Sequence, residues 1–310
     1  MDRWDGRRFA RPFRIDGEAG AVRFGRVPKT ATLAVEVAGP GSSPGGLRRR
    51  LEAMFVDEQA AVAELAGRDP VIAGLHRRYP GIFPVLYLDP LGALLAMVTA
   101  QQVNLAFALS VRRAILGRLG RRIPLGDDFV LAPDPERMAR ATDETWRSLR
   151  LTAAKGRCLR ALGRAICSGA LSFAALERAS ASEALGLLTE LPGIGPWTAS
   201  QYLNRVLGRP VVVAGDLGVR KAVQLAYGLA LLPSASDVLG MTADYGPASF
   251  TAQYLLLFHL SQQRPGWPPP SAGASLLPSS QRQVEIADAS GPAPPGAVGR
   301  RARPPRRPAL

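Results

Sequence analysis

The chain has 310 residues, a formal net charge of +14, 47% hydrophobic residues and two cysteines. That length and apolar content suit one or two packed cores and exclude a disordered chain as a whole. Cys158 and Cys167 lack a C-x-x-C spacing, and His76 and His259 are far apart, which excludes a disulfide framework, a zinc site and a four-cysteine iron–sulfur cluster.

The basic excess favours a polyanionic partner, most simply nucleic acid. Arginine carries it, since the only lysines are Lys29, Lys155 and Lys221. The N-terminal MDRWDGRRFARPF is charged throughout and does not read as a signal peptide. No apolar run approaches the roughly 18 residues of a membrane span, so a cytoplasmic protein without a membrane partner is expected.

Residues 1–80 read as a small α+β subdomain. VRFGRV and TATLAVEV have strand character, AGPGSSPGG is a loop, and LRRRLEAMFVDEQAAVAELAG has helical periodicity. From Asp89 the pattern is helix after helix, over a second domain at 81–262. Asp89-Pro90 is a start signal, a capping carboxylate followed by proline in the first turn. The apolar LGALLAMVTAQQ follows, then NLAFALSVRRAILGRLG with a basic side at Arg112, Arg113 and Arg118. ETWRSLR and AAKGRCLRALGRAICSG are further helices, and Ser180-x-x-Glu183 is a capping box. Residues 263–310 are rich in proline and arginine and read as a disordered tail. That tail holds about +5 of the +14, so the basic character is not confined to it.

The stretch LPGIGPWTASQ, residues 191–201, places two glycines and two prolines between helical runs. Pro192-Gly193 ends the first helix, Gly195 permits a tight turn, and Pro196 suits the first turn of the next. Two residues without side chains would let a phosphate reach backbone N–H groups at a helix N-terminus. An ordinary helical corner would also use this chemistry.

LPGIGPWTA resembles the hairpin of the helix-hairpin-helix GPD superfamily of DNA glycosylases. VVVAGDLGVRKA is similar to the segment carrying that family's catalytic aspartate, and LLAMVTAQQVNLAFA to its helix-to-Gln-Gln turn. The three motifs span roughly residues 80–260 in the family's order. The resemblance implies a mainly α fold with a small α+β N-terminal subdomain. GPWTA and GDLG look like the 3-methyladenine DNA glycosylase II branch, which implies removal of alkylated bases from duplex DNA by a monomer associated with the nucleoid. Bifunctional members carry a hairpin lysine; the matching residue here is Trp197, so no lyase activity is expected. No cofactor or catalytic metal is implied, although the family allows a monovalent cation on the hairpin carbonyls.

Carried over residue by residue, Asp216 would be the catalytic carboxylate, stabilising positive charge on the sugar as the glycosidic bond breaks. It would equally serve as N-cap of LGVRKAVQLAYG, and the two roles are compatible. Leu191, Gly193, Ile194, Gly195 and Thr198 would form the DNA-backbone contact. Gln101 and Gln102 stand where the family inserts a wedge after flipping the base; both would also serve simply to close a helix. Trp197, Gln201, Tyr202, Tyr245 and Phe250 are pocket candidates for a cationic base, or core residues at helical spacing. The family commonly has tyrosine where Gln201 stands, and its C-terminal arginine is missing from YGPASF, so the pocket is altered. The alternatives are a glycosylase for an oxidised or deaminated base, a non-catalytic helix-hairpin-helix DNA-binding protein, and an RNA binder using the arginine tail.

Overall fold

The structure is a computed structural model, and it describes residues 2–4, 8–26, 33–39, 44–263 and 284–288. The chain opens with β1 (Arg3–Trp4), β2 (Arg8–Ile15), β3 (Glu18–Arg26) and β4 (Leu33–Ala38), successive antiparallel neighbours. β2 and β3 join through Asp16 and Gly17, whose φ values of 50° and 82° give the doubly left-handed turn that matches strand twist. The composition-based expectation of a disordered 263–310 falls largely outside the described residues. The part described, Val284–Asp288, is a strand (here β7) that pairs parallel to β4.

Alternation along these strands gives the sheet two working faces. Phe13, Val22, Phe24 and Val35 pack against Leu47, Leu51 and Met54 around α1 (Pro44–Ala53). Ala10 and Ala21, on the other face, meet Ile123, Leu125, Val130 and Ala132. Those four come from a hairpin, β5 (Gly120–Leu125) and β6 (Asp128–Pro133), in the region expected to be wholly helical. Its turn places Gly126 first, at φ +59°, which only glycine adopts readily.

The helical reading of residues 47–67 also divides in two. After α1 the chain breaks at Phe55, which bridges to Val85, before α2 (Gln59–Ala66). α2 and α3 (Pro70–Arg78) lie before the boundary expected at residue 80, yet Val62, Leu65, Ile72 and Leu75 pack with the C-terminal helices. Those are α12 (Leu217–Ala226), α13 (Ala235–Met241) and α14 (Ser249–Gln262), which contribute Val219, Val223, Val238, Leu255 and Leu256.

A larger core surrounds α4 (Pro90–Ala100), nine of whose eleven residues are buried, as its all-round apolar sequence requires. Around it stand α5 (Leu105–Leu119), α6 (Pro135–Arg140), α7 (Asp143–Ser148), α8 (Ala153–Cys167), α9 (Phe173–Arg178), α10 (Ala181–Thr189) and α11 (Pro196–Arg205). Trp146 of α7 lies under Gly156 of α8; a Cβ there would come within 2.8 Å of it, so the glycine sets how closely the helices approach. Asp69, Asp89 and Asp134 each cap a helix that starts on proline, and the Ser180–Glu183 capping box is complete. No helix among the described residues is long and apolar enough to cross a membrane.

Candidate active site

Four helix N-termini and one C-terminus meet at an open cleft of about 1130 Å³. The end of α4 and the turn 101–104 form one wall, and the starts of α5, α8, α11 and α12 the others. Unpaired N–H groups and aligned dipoles at four helix starts make such a cleft attractive to a polyanion. Among the described residues that line it, Asp216 and Lys155 are the charged ones.

Asp216 is the N-cap of α12, and its Oδ1 accepts from the Val219 N–H at 3.0 Å. Its Oδ2 faces α11 and accepts from Trp197 Nε1 at 2.8 Å and Gln201 Nε2 at 3.4 Å. Cap and cleft carboxylate are thus one residue using its two oxygens separately. Gly218 leaves room for this, since a Cβ there would stand 2.8 Å from Oδ1. The segment before Asp216 is fixed by side chains the motif reading did not single out. Gln253 Oε1 accepts from the Val213 N–H at 2.7 Å, and Asn204 Nδ2 donates to the Val211 carbonyl at 2.9 Å. Asn204 is fully buried on α11, so the aspartate loop is tied to the helix that carries Trp197.

The hairpin joins α10 to α11. Gly193 has φ +84°, and a Cβ on it would meet Cys158 Cβ at 2.8 Å, so both backbone conformation and packing demand glycine. Gly195 has open space beside it and caps α11 without a side-chain hydrogen bond. The first N–H groups of that helix therefore face outward for solvent or a ligand. The other hairpin candidates differ: Leu191 packs against the core, and the side chains of Ile194 and Thr198 are buried, leaving only their backbone for a ligand.

Three aromatic pocket candidates do not line the cleft, nor does Gln201. Tyr202 is fully buried in the core around α4, on the face of α11 turned from the cleft. Tyr245 lies in the second core with its hydroxyl on Tyr227, and Phe250 is buried on α14. Helical spacing marked them as apolar without saying which core their face would meet. Trp197 and Gln201, both half-buried, remain beside Asp216.

The two glutamines also part company. Gln101 turns inward, its Nε2 donating to the Gly193 carbonyl at 3.1 Å and Thr198 Oγ1 at 3.0 Å, so its amide is engaged within the protein. Gln102 is exposed on the cleft rim at φ +54°. Beside it Val103, Leu105 and Leu217 expose apolar side chains to the cleft, 38%, 56% and 52% accessible. Lys155, near the start of α8, donates to the Gln101 carbonyl at 2.6 Å; burial lowers its pKa. Neither these rim residues nor Lys155 carry a local sequence signal.

His259 shares a hydrogen bond with Tyr79 far from the cleft, and burial beneath the hairpin pushes the Cys158 thiol up to about 11. Among the described residues no cluster of His, Cys, Asp and Glu could hold a metal.

No family model matches the chain. A DNA-3-methyladenine glycosylase of Bacillus subtilis is 28% identical over 184 residues, 59% of this chain and 61% of that protein. The chain thus spans about three fifths of that relative's length. The 3-methyladenine DNA glycosylase from Archaeoglobus fulgidus shares the fold with TM-score 0.71 at 23% identity, over 83% of this chain and 88% of the other. An 8-oxoguanine glycosylase/lyase of Clostridium acetobutylicum, in complex with double-stranded DNA containing cytosine opposite 8-oxoG, matches with TM-score 0.61 at 17% identity, over 84% and 98% of the two chains.

Proposed function

We propose that the chain is a member of the helix-hairpin-helix GPD superfamily and a monofunctional DNA glycosylase for alkylated purines of the 3-methyladenine type, acting in base excision repair, a reading supported by its fold and motifs. The observation that carries the reading is Asp216, a carboxylate held at a helix start, facing an open cleft and forming no ion pair among the described residues.

The chemistry follows from that placement. C1′ is inaccessible inside a duplex, so the nucleotide must first leave the stack. Outward N–H groups around Gly195 would hold a backbone phosphate, and Gln102 on the rim would fill the gap left behind. The C1′–N bond then breaks with its electron pair going to the base, and a cationic purine departs neutral. The sugar is left with positive charge spread over C1′ and O4′, opposite the Asp216 carboxylate. Water adds at C1′ and gives up a proton to Asp216 or to solvent, leaving an abasic site and a free base.

Trp197 and Gln201 support this by fixing one carboxylate oxygen. The half-buried Trp197 indole also supplies an electron-rich surface suited to a cationic base. A lyase step needs an amine at C1′, and Trp197 stands at the family's lysine position. Lys155, the one amine among the described residues that line the cleft, donates instead to two carbonyls, Gln101 at 2.6 Å and Thr99 at 3.4 Å.

A monovalent cation would rest on the hairpin carbonyls, where Leu191 accepts from Ile194 and Gly193 from Gln101, each keeping a second lone pair. Its contribution would be to stiffen the hairpin under a phosphate. The partner is damaged double-stranded DNA, bound by a monomer in the cytoplasm at the nucleoid.

The second reading, a glycosylase for an oxidised or deaminated base, is favoured by Gln201, an amide where the family commonly has an aromatic ring. Base release from methylated duplex DNA and from a panel of oxidised and deaminated duplexes, with Asp216→Asn in parallel, tests both. Release of 3-methyladenine or 7-methylguanine by wild type, lost in the mutant while duplex binding persists, is expected. Binding without release of any base would leave a helix-hairpin-helix binding protein.

A further inference from the structure

The turn that leaves α4 is held in a way the bond-breaking step does not require. Gln102 adopts φ +54°, a left-handed conformation that residues with side chains rarely take and that persists only where neighbours over-determine it. Three contacts do so. Gln101 Nε2 ties the turn to the hairpin through the Gly193 carbonyl and Thr198 Oγ1. Lys155 Nζ ties it to α8 through the Gln101 carbonyl at 2.6 Å and the Thr99 carbonyl at 3.4 Å. Asn104 caps α5 at its far end, accepting from the Phe107 N–H at 2.9 Å.

Lys155 is partly desolvated there, and burial lowers its pKa, so an ammonium at this place carries a penalty that an apolar side chain would avoid. The two carbonyl bonds of Lys155 instead hold the end of α4 and the start of the turn against α8.

We propose that Gln101 and Lys155 are positioning residues, a bracket that holds Gln102 poised at the cleft rim and couples the hairpin's grip on the DNA backbone to insertion of Gln102 into the stack. The inference rests on the glycosylase reading for its purpose. The mechanical route is short: the Gly193 carbonyl lies in the hairpin loop, and Gln101 precedes Gln102 directly. A phosphate seating on the hairpin therefore bears on the rim through one side chain. Lys155 fixes the backbone from the opposite side, so that load turns into orientation of Gln102 and not into slack. If Lys155 were only a cap on the end of α4, its loss would be felt in stability alone.

The test uses the full chain and a duplex with 2-aminopurine beside a tetrahydrofuran abasic analogue, which reports unstacking without any bond cleavage. Single-turnover base release from methylated DNA and thermal melting are measured alongside. Lys155→Met and Gln101→Ala are expected to bind undamaged duplex as wild type does. Both should lose fluorescence amplitude and slow base release about tenfold or more, the scale of a small misplacement at a reacting centre. Lys155→Met should melt no lower than wild type, and Lys155→Arg should restore most of the amplitude. In a Gln102→Ala background, Lys155→Met should add little, because both act through the same side chain.

The proposal is overturned if either variant unstacks and excises at the wild-type rate. It is equally overturned if the defects merely track a fall in melting temperature, or if the Gln102 and Lys155 effects add in full. Absence of base release by wild type would instead count against the glycosylase reading, and the fluorescence amplitudes would still judge the bracket.

Discussion

Asp89 and Asp216 are the same local device in opposite surroundings. Each precedes a helix as N-cap, with extended backbone and one oxygen accepting from an N–H of the first turn. Asp89 is buried and its Oδ1 also meets Arg14 Nε at 3.1 Å, so it locks the N-terminal sheet to α4. Asp216 forms no ion pair among the described residues; its second oxygen meets the neutral N–H groups of Trp197 and Gln201 and borders a cleft. What else the carboxylate meets, an arginine in the core or neutral N–H groups at a cleft, is what separates the two aspartates, and the cap motif alone does not distinguish them.

Four substitutions sharpen that contrast. Asp216→Asn keeps an oxygen for the cap, so it should fold normally yet lose base release by about 10³-fold, the scale of removing one charge-stabilising group. Single-turnover release and melting, measured on one preparation, check this; parallel loss of both would make Asp216 a cap only. Asp89→Ala should do the reverse. It strands the buried Arg14 and should cost about 3 kcal/mol in urea unfolding, while the folded fraction still excises.

Trp197→Phe removes one hydrogen bond to a charged group, worth about 1.5 kcal/mol, and should slow release about tenfold with little change in duplex binding. The smallest effect is expected at Glu58, whose carboxylate accepts from the Thr251 N–H while burial raises its pKa. A raised folded pKa means the protonated form favours folding, so this contribution is full at acid pH and is lost as pH rises through the folded value. Glu58→Gln keeps an acceptor for Thr251 without the charge, and should melt slightly higher than wild type at pH 7 with no gain at pH 4.

Much of the helical half was legible because its signals are local. Asp89-Pro90 and Ser180-x-x-Glu183 cap helices where the sequence marks them, and the distal aspartate falls at a helix start facing the hairpin helix. The two β-hairpins carried equally local signals that went unread, Asp16-Gly17 and Gly126-Asp127, the latter within a stretch dominated by helical pattern. The base-side wall was the least legible part. Tyr202 follows Gln201 by one residue, about 100° around α11, and that rotation takes it from the cleft to the core. Gln253 reaches Val213 across forty positions of sequence, a pairing set by packing alone. Likewise, nothing local separates Gln101, turned in on the hairpin, from Gln102, turned out to solvent.

The seat of the hairpin also bears on how long such a molecule lasts at its work. Gly193 presses onto Cys158 closely enough to shut a thiol away from water, and that thiol, shifted to about 11, stays un-ionised at neutral pH. Thiolates are the first protein groups to be consumed by electrophilic methyl donors. If the chain acts on alkylated DNA as proposed, it carries its buried thiol in an unreactive state under the hairpin loop, and can outlast the exposure that creates the demand for it.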